Sequence, residues 1–239
     1  MTIPSYKLVD EAVFNAVRQI LIARTKKGLT QEDVRLINTA LSIDDPQPAL
    51  PAPAKANDLF TVRGVTEIFG HEAIIREMYL DSVKVETWAA GLTAASGINV
   101  RQYKDNPASM QECVTASVGR MRAKYGPRVL AAFAGKQLTE AQFHAALSFD
   151  WNTGAIHRAD WVKHFMEGRV ADARASFMNW RSPPEIIERR EKERDLFFDG
   201  KWSGDGTVTE YKVNKPSYTP KWSSARRVDV SAEIRAALA

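Results

Sequence analysis

The chain has 239 residues, 44% apolar and 26% charged, with a formal net charge of +4 at pH 7. That composition suits one globular domain with a sizeable core plus a small appendage. It carries no basic stripe of the kind nucleic acid demands. Its single cysteine, Cys113, can form neither an intrachain disulfide nor a cysteine zinc cage, and no apolar run nears the roughly 18 residues of a transmembrane helix.

The N-terminus mixes acids with its apolar positions and offers no good cleavage site, so no signal peptide is expected and synthesis in the cytoplasm is. Val9, Val13, Ala16, Val17 and Ile20 repeat at helical spacing. A second helix is expected to open at Thr30, with Asp33 completing a variant capping box. Residues 1–43 thus read as a small helical module. The stretch "DDPQPALPAPAKAND" follows, and residues 44–57 read as a semi-extended linker.

Residues 58–202 form the main domain on this reading. Val65, Ile68, Phe69 and Glu72 share one helical face. After Tyr79, the alternation Val83, Val85, Thr87 predicts a short strand pair. Helices dominate from there on. Asn106 is expected as an N-cap with Pro107 at the first helical position, and Thr139 with Gln142 as a capping box. "RVADARASFMNW" and "PPEIIERREKERDLFF" are further amphipathic helices. Residues 203–239 read as a turn-rich extension ending in a short helix. Strands are expected to be few and local, which makes the fold α+β and predominantly helical.

Four histidines, His71, His144, His157 and His164, stand in no common ligand spacing, so no metal or other cofactor is expected. Cys113 has no recognisable partner motif for a nucleophile. The stretch "GHEAIIREMYLDSVKVETWAAG" (70–91) is more informative. It sets Glu72 on the apolar edge of a helix and then supplies Asp81 and Thr87. A glutamate there also fits a surface residue that snorkels. A desolvated one, however, has the raised pKa a general acid needs near neutral pH. A second carboxylate with a hydroxyl could hold the water that glycoside hydrolysis requires on the other face of the sugar.

Glu72, Asp81 and Thr87, nine and then six residues apart, resemble the catalytic Glu-Asp-Thr of the phage-type lysozymes, the endolysins of glycoside hydrolase family 24. Tyr79 and Gly91 match as well. A second block agrees in order: "ALSFDWNTGAI" with the family's SF-x-x-N-x-G, then "FMEGRVADARASFMNW", then "IIERREKERDLFFDGKW". The likeness covers residues 58–202, and the first helices resemble a small module often set ahead of such domains.

The resemblance implies a lysozyme-like domain of two lobes, a small β-hairpin lobe and a helical lobe, with the substrate cleft between them. It implies a muramidase acting on the β-1,4 bond between N-acetylmuramic acid and N-acetylglucosamine in bacterial peptidoglycan. Glu72 would protonate the glycosidic oxygen while Asp81 and Thr87 position water. Arg189 aligns with an arginine that pairs with the catalytic glutamate, and Trp151 and Asn152 align with the far wall of the cleft. Core filling is an equal alternative for Trp151. An endolysin of this type would be a monomer that needs a holin-like pore or lysis to pass from host cytoplasm to the wall. The rival readings are a non-catalytic wall-binding protein on the same scaffold and a lytic transglycosylase.

Two departures stand out. The family's "TIGYGHT" reads "TWAAGLT" here, with Leu92 in place of its histidine. Lys84 stands where many members carry a turn glycine, so the hairpin is expected to turn differently.

Overall fold

The computed structural model describes residues 59–239. The helical module at 1–43 and the linker at 44–57 lie outside the described residues. Helix α1 (Val62–Glu72) starts where the Thr61 side chain accepts from the Gly64 amide, and it buries Val65, Ile68 and Phe69 completely. Gly64 is needed there, because a Cβ would come 2.1 Å from the His144 ring. The helix stops abruptly. Ala73 takes φ +59° while its amide still bonds the Phe69 carbonyl, and strand β1 (Ile74–Leu80) begins at the next residue.

Strands β2 (Glu86–Ala89) and β3 (Leu92–Thr93) complete an antiparallel meander, with Tyr79 opposite Thr87 and Leu80 opposite Glu86. The alternation around Val83 and Val85 is therefore a turn and not a strand. Val83 is 74% and Val85 44% exposed. The Asp81 carboxylate caps this turn, its Oδ1 accepting from the amides of Val83 (2.9 Å) and Val85 (2.8 Å). Lys84 takes φ +65°, so the lysine itself occupies the left-handed region in this turn. Leu92, in the histidine's place, is a core residue.

The helical lobe contains α2 (Met110–Arg120), a π-turn at Met121–Tyr125, α3 (Gly126–Ala132), α4 (Glu140–Thr153), α5 (Asp160–Met166), α6 (Val170–Phe177) and α7 (Ile187–Asp199). The N-cap of α2 is Ser109, in a full capping box with Glu112, and not Asn106. Asn106 instead donates to the Gln102 carbonyl. The box at Thr139 and Gln142 forms as expected and opens α4, which is buried all round from Phe143 to Asp150. Phe133, Phe149, Trp161, Phe177 and Phe197 pack edge to face and tilted around it.

The C-terminal extension differs most from its sequence reading. Strands β4 (Val208–Val213) and β5 (Pro220–Val228) form a hairpin, and β4 pairs parallel to β1 with Ile74 opposite Glu210. The result is one five-stranded sheet in the order β3-β2-β1-β4-β5. Sheet pairing is thus long-range as well as local. Helix α8 (Ser231–Leu238) then packs on α1 and α2 and buries Ile234 completely. The start of the extension is tied down by buried Glu67 of α1, which accepts from the amides of Ser203 (3.1 Å) and Gly204 (2.8 Å).

Candidate active site

The end of α1 and the start of the sheet set the site. Glu72 is the last residue of the helix, and its side chain is 17% exposed. The left-handed break at Ala73 separates it from the core positions that precede it. On the other side of its carboxylate stands Gly91, at φ +87°. A Cβ at Gly91 would lie 3.6 Å from Oε2 of Glu72 and 3.9 Å from the indole nitrogen of Trp151. Glycine is required by that φ, and it keeps the space between carboxylate and indole clear.

The other oxygen, Oε1, is buried. Its charged neighbour is Arg189 of α7, whose Nη1 lies 2.5 Å away in an ion pair. Arg189 is itself held at several points. Its Nε donates to Oε1 of Glu193 at 2.9 Å, and its Nη2 donates to the carbonyl and the hydroxyl of Ser148 on α4. Burial works against the guanidinium charge, but Glu72 and Glu193 outweigh it and raise its pKa.

Asp81 lies at the tip of the β1–β2 turn and is half-buried. Both turn amides bond the same oxygen, Oδ1. Thr87, on β2, is 3% exposed and donates its hydroxyl to the Val85 carbonyl at 3.0 Å. Tyr79 lies opposite Thr87. Burial, with the Glu72 and Asp81 carboxylates nearby, raises the pKa of its phenol. The tyrosine therefore stays neutral between two acids.

Trp151 is half-buried against Tyr125, with centroids 4.9 Å apart and the rings tilted by 52°. Tyr125 closes the π-turn that joins α2 to α3. One edge of Trp151 thus packs against Tyr125, while its nitrogen faces Gly91. Asn152 is exposed, and its Oδ1 accepts from Nη2 of Arg190 at 2.7 Å.

Sequence reasoning missed the residues beneath the site. Ser148 donates to Oε1 of Glu193 at 2.6 Å, Arg190 is ion-paired to the other oxygen of Glu193, and Arg190 Nε donates to the Trp180 carbonyl. Arg190 and Glu193 are both 1% exposed. Burial lowers the pKa of Arg190, and the Arg189 charge adds to that. A signal for them existed. Arg190, Glu193, Leu196 and Phe197 fall on one helical face, and that face is the buried one. His71, one residue before Glu72, is also part of these surroundings. Burial, reinforced by Arg189, holds its pKa at about 4, so it is neutral at physiological pH.

Arg189 of the helical lobe thus pairs with the glutamate that ends the first described helix, as the sequence resemblance implied. The phage lysozyme family matches residues 70–193, just over half of the chain, and the chain belongs to that family. It is therefore a glycoside hydrolase with a peptidoglycan-lytic function. Comparison with curated protein sequences gives no match.

Among solved structures, the endolysin of the Escherichia coli phage FAHEc1 is similar at 17% identity and a TM-score of 0.51. The alignment covers 60% of this chain and 96% of that one, and it supports the fold. The muramidase domain of SpmX from Asticaccaulis excentricus is 22% identical over 56% of this chain and 93% of its own, with a TM-score of 0.46. A P22 lysozyme mutant is 17% identical over 58% and 97%, with a TM-score of 0.48.

Proposed function

We propose that the protein is an endolysin of the muramidase type, cleaving the β-1,4 bond between N-acetylmuramic acid and N-acetylglucosamine with inversion at the anomeric carbon. The observation that carries this is the Glu72 carboxylate, with one oxygen against Arg189 and the other beside the space that Gly91 keeps clear. Glu72 gives its proton to the leaving glycosidic oxygen. It gains negative charge as it does so, and the adjacent guanidinium offsets that charge where it develops. Asp81 and Thr87 hold the attacking water. With the Thr87 hydroxyl proton committed to the Val85 carbonyl, its oxygen is left to accept from that water. Oδ1 of Asp81 is taken up by two amides, which leaves Oδ2 to take the water's other proton. A water that donates to both presents its lone pair to the anomeric carbon.

An inverting route requires the two carboxyl groups to stand roughly 6.5–9.5 Å apart, and we assign Glu72 and Asp81 to that range. Trp151 offers a ring edge, and Asn152 an amide that Arg190 orients, to a sugar and its N-acetyl group. Residues 58–202 would be the catalytic domain, 203–239 an extension integral to its fold, and 1–43 a separate helical module on the 44–57 linker. The enzyme would act as a monomer, reaching the wall from the host cytoplasm through a holin-like pore or on lysis. Digestion of purified peptidoglycan tests the reaction. The expected products end in a reducing N-acetylmuramic acid. Anhydro sugars would make the enzyme a lytic transglycosylase, and no cleavage would leave a wall-binding protein.

A further inference from the structure

A chain of alternating charges runs from Glu72 to Asn152. Glu72 contacts Arg189, Arg189 bonds Glu193, Glu193 is paired to Arg190, and Arg190 bonds Asn152. We propose that Glu193 is a positioning residue for the reaction, setting the proton donor through Arg189 and the sugar-facing amide of Asn152 through Arg190. The inference rests on the reading of Glu72 as general acid and adds to it a residue that touches no substrate.

Three observations carry it. Glu193 is 1% exposed, so its charge must be compensated from within the protein, and both its oxygens are used. Oε1 accepts from Ser148 at 2.6 Å and from Arg189 at 2.9 Å, while Oε2 faces Arg190. The two arginines are adjacent in sequence but diverge, one to Glu72 and the other to Asn152. A single carboxylate is therefore what keeps two like charges side by side and aimed apart. Buried ion pairs of this kind are weak sources of stability, because desolvation cancels most of the attraction. Their use is geometric. Arg190 is further fixed by the Trp180 carbonyl at 3.0 Å and lies 4.8 Å over the Phe149 ring, so the carboxylate acts on a guanidinium with little freedom left.

Glu72, Glu67 and His71 approach from α1, Lys192 and Arg190 come from the same helix as Glu193, and Glu72 is faced by Tyr79 with Asp81 from the sheet side and by Tyr125 from the π-turn. His71 is neutral at neutral pH, so the balance around Arg189 is set by Glu72 and Glu193. Removing the Glu193 charge leaves Arg189 to act on Glu72 alone. That favours the ionised, inactive form of the acid, and the alkaline limb of the kcat–pH profile moves to lower pH.

The test compares wild type, Glu193→Gln, Glu193→Asp and Ser148→Ala on soluble peptidoglycan fragments, with Glu72→Gln as the benchmark. Melting curves confirm folding at the assay temperature. We expect Glu193→Gln to lower kcat by about 10- to 100-fold, a fraction of the general-acid contribution, with KM raised as Asn152 loses its orientation. The alkaline limb should shift down, and Glu193→Asp should recover part of both losses. A folded Glu193→Gln with unchanged kcat, KM and alkaline limb would overturn the proposal and make the carboxylate purely structural. If Glu193→Gln does not fold, Ser148→Ala decides. It keeps the Glu193 charge but removes one bond to Oε1 and one to Arg189, so it must lower kcat and raise KM in smaller measure, or the proposal falls. An active Glu72→Gln would sink the reading of Glu72 and this inference with it. An inactive Glu72→Gln beside an unaffected Glu193→Gln would sink this inference alone.

Discussion

Truncation after Trp202 should unfold the catalytic domain, not merely weaken its hold on the wall. The cut removes β4, β5 and α8. With them go Val208, Val230 and Ile234, each at most 1% exposed, and Val213 at 8%. At about 1.5–3 kcal/mol for each buried aliphatic side chain, the loss is roughly 6–12 kcal/mol. That equals most of the roughly 5–15 kcal/mol a domain has in hand. It also strips β1 of its parallel partner and the Arg76 guanidinium of its 2.8 Å contact with Glu210. A graded version is Ile234→Ala, which should cost about 2–4 kcal/mol and lower Tm by roughly 5–15 °C for a domain of this size. The assay is a melting curve paired with sedimentation on purified peptidoglycan. Wild-type sedimentation with a lowered Tm is expected of Ile234→Ala. If the truncated chain melted with the wild type and only stopped sedimenting, the extension would be a binding tail and this reasoning would be wrong.

Lys84→Gly should raise stability by roughly 0.5–1 kcal/mol, the relief of a left-handed lysine less the entropy cost of glycine; unchanged or lowered stability in denaturant titration would refute it. Asp81→Asn and Thr87→Ala should each damage kcat, while the double variant should be far less than multiplicatively worse, because both act on one water. Independent, fully multiplicative losses would mean separate tasks. Stability should also fall with acid. His71 and His144 are both held at about 4 by burial, so above the unfolded value of 6.5 they contribute nothing. Between 6.5 and about 4 the unfolded chain binds protons the fold refuses, and stability drops by up to about 3 kcal/mol per histidine. Denaturant titrations at pH 7.5 and pH 5 check this, and equal midpoints would contradict it.

What was legible in the sequence was whatever rests on local pattern. Val65, Ile68 and Phe69 declared the buried face of α1, and Thr139 with Gln142 declared the start of α4. Glu72 at a helix end, and Asp81 and Thr87 along one hairpin, stand where local pattern placed them, and their roles are the proposal made above. The rest depends on partners far along the chain. Val208 and Val213 carry no strand signal strong enough to announce a pairing with β1, more than a hundred residues earlier. Asn106-Pro107 has the composition of a helix start, yet Ser109 with Glu112 satisfies two amide donors reciprocally and wins. Glu193 and Arg190 share a helical face with Leu196 and Phe197, but their charge hides that this face is buried. Only the arrival of Ser148 and Asn152 from α4 makes their burial affordable.

The most direct measurement of the central claim is the lysis rate of outer-membrane-permeabilised cells, followed by turbidity, for wild type and Glu72→Gln at equal folded concentration. The substitution keeps the shape of the side chain beside Arg189 and Gly91 and removes the proton it donates. The account predicts a fall on the order of 10²–10⁴ in rate with a melting curve close to that of the wild type. A folded Glu72→Gln that lysed cells at about half the wild-type rate would show that the proton comes from elsewhere.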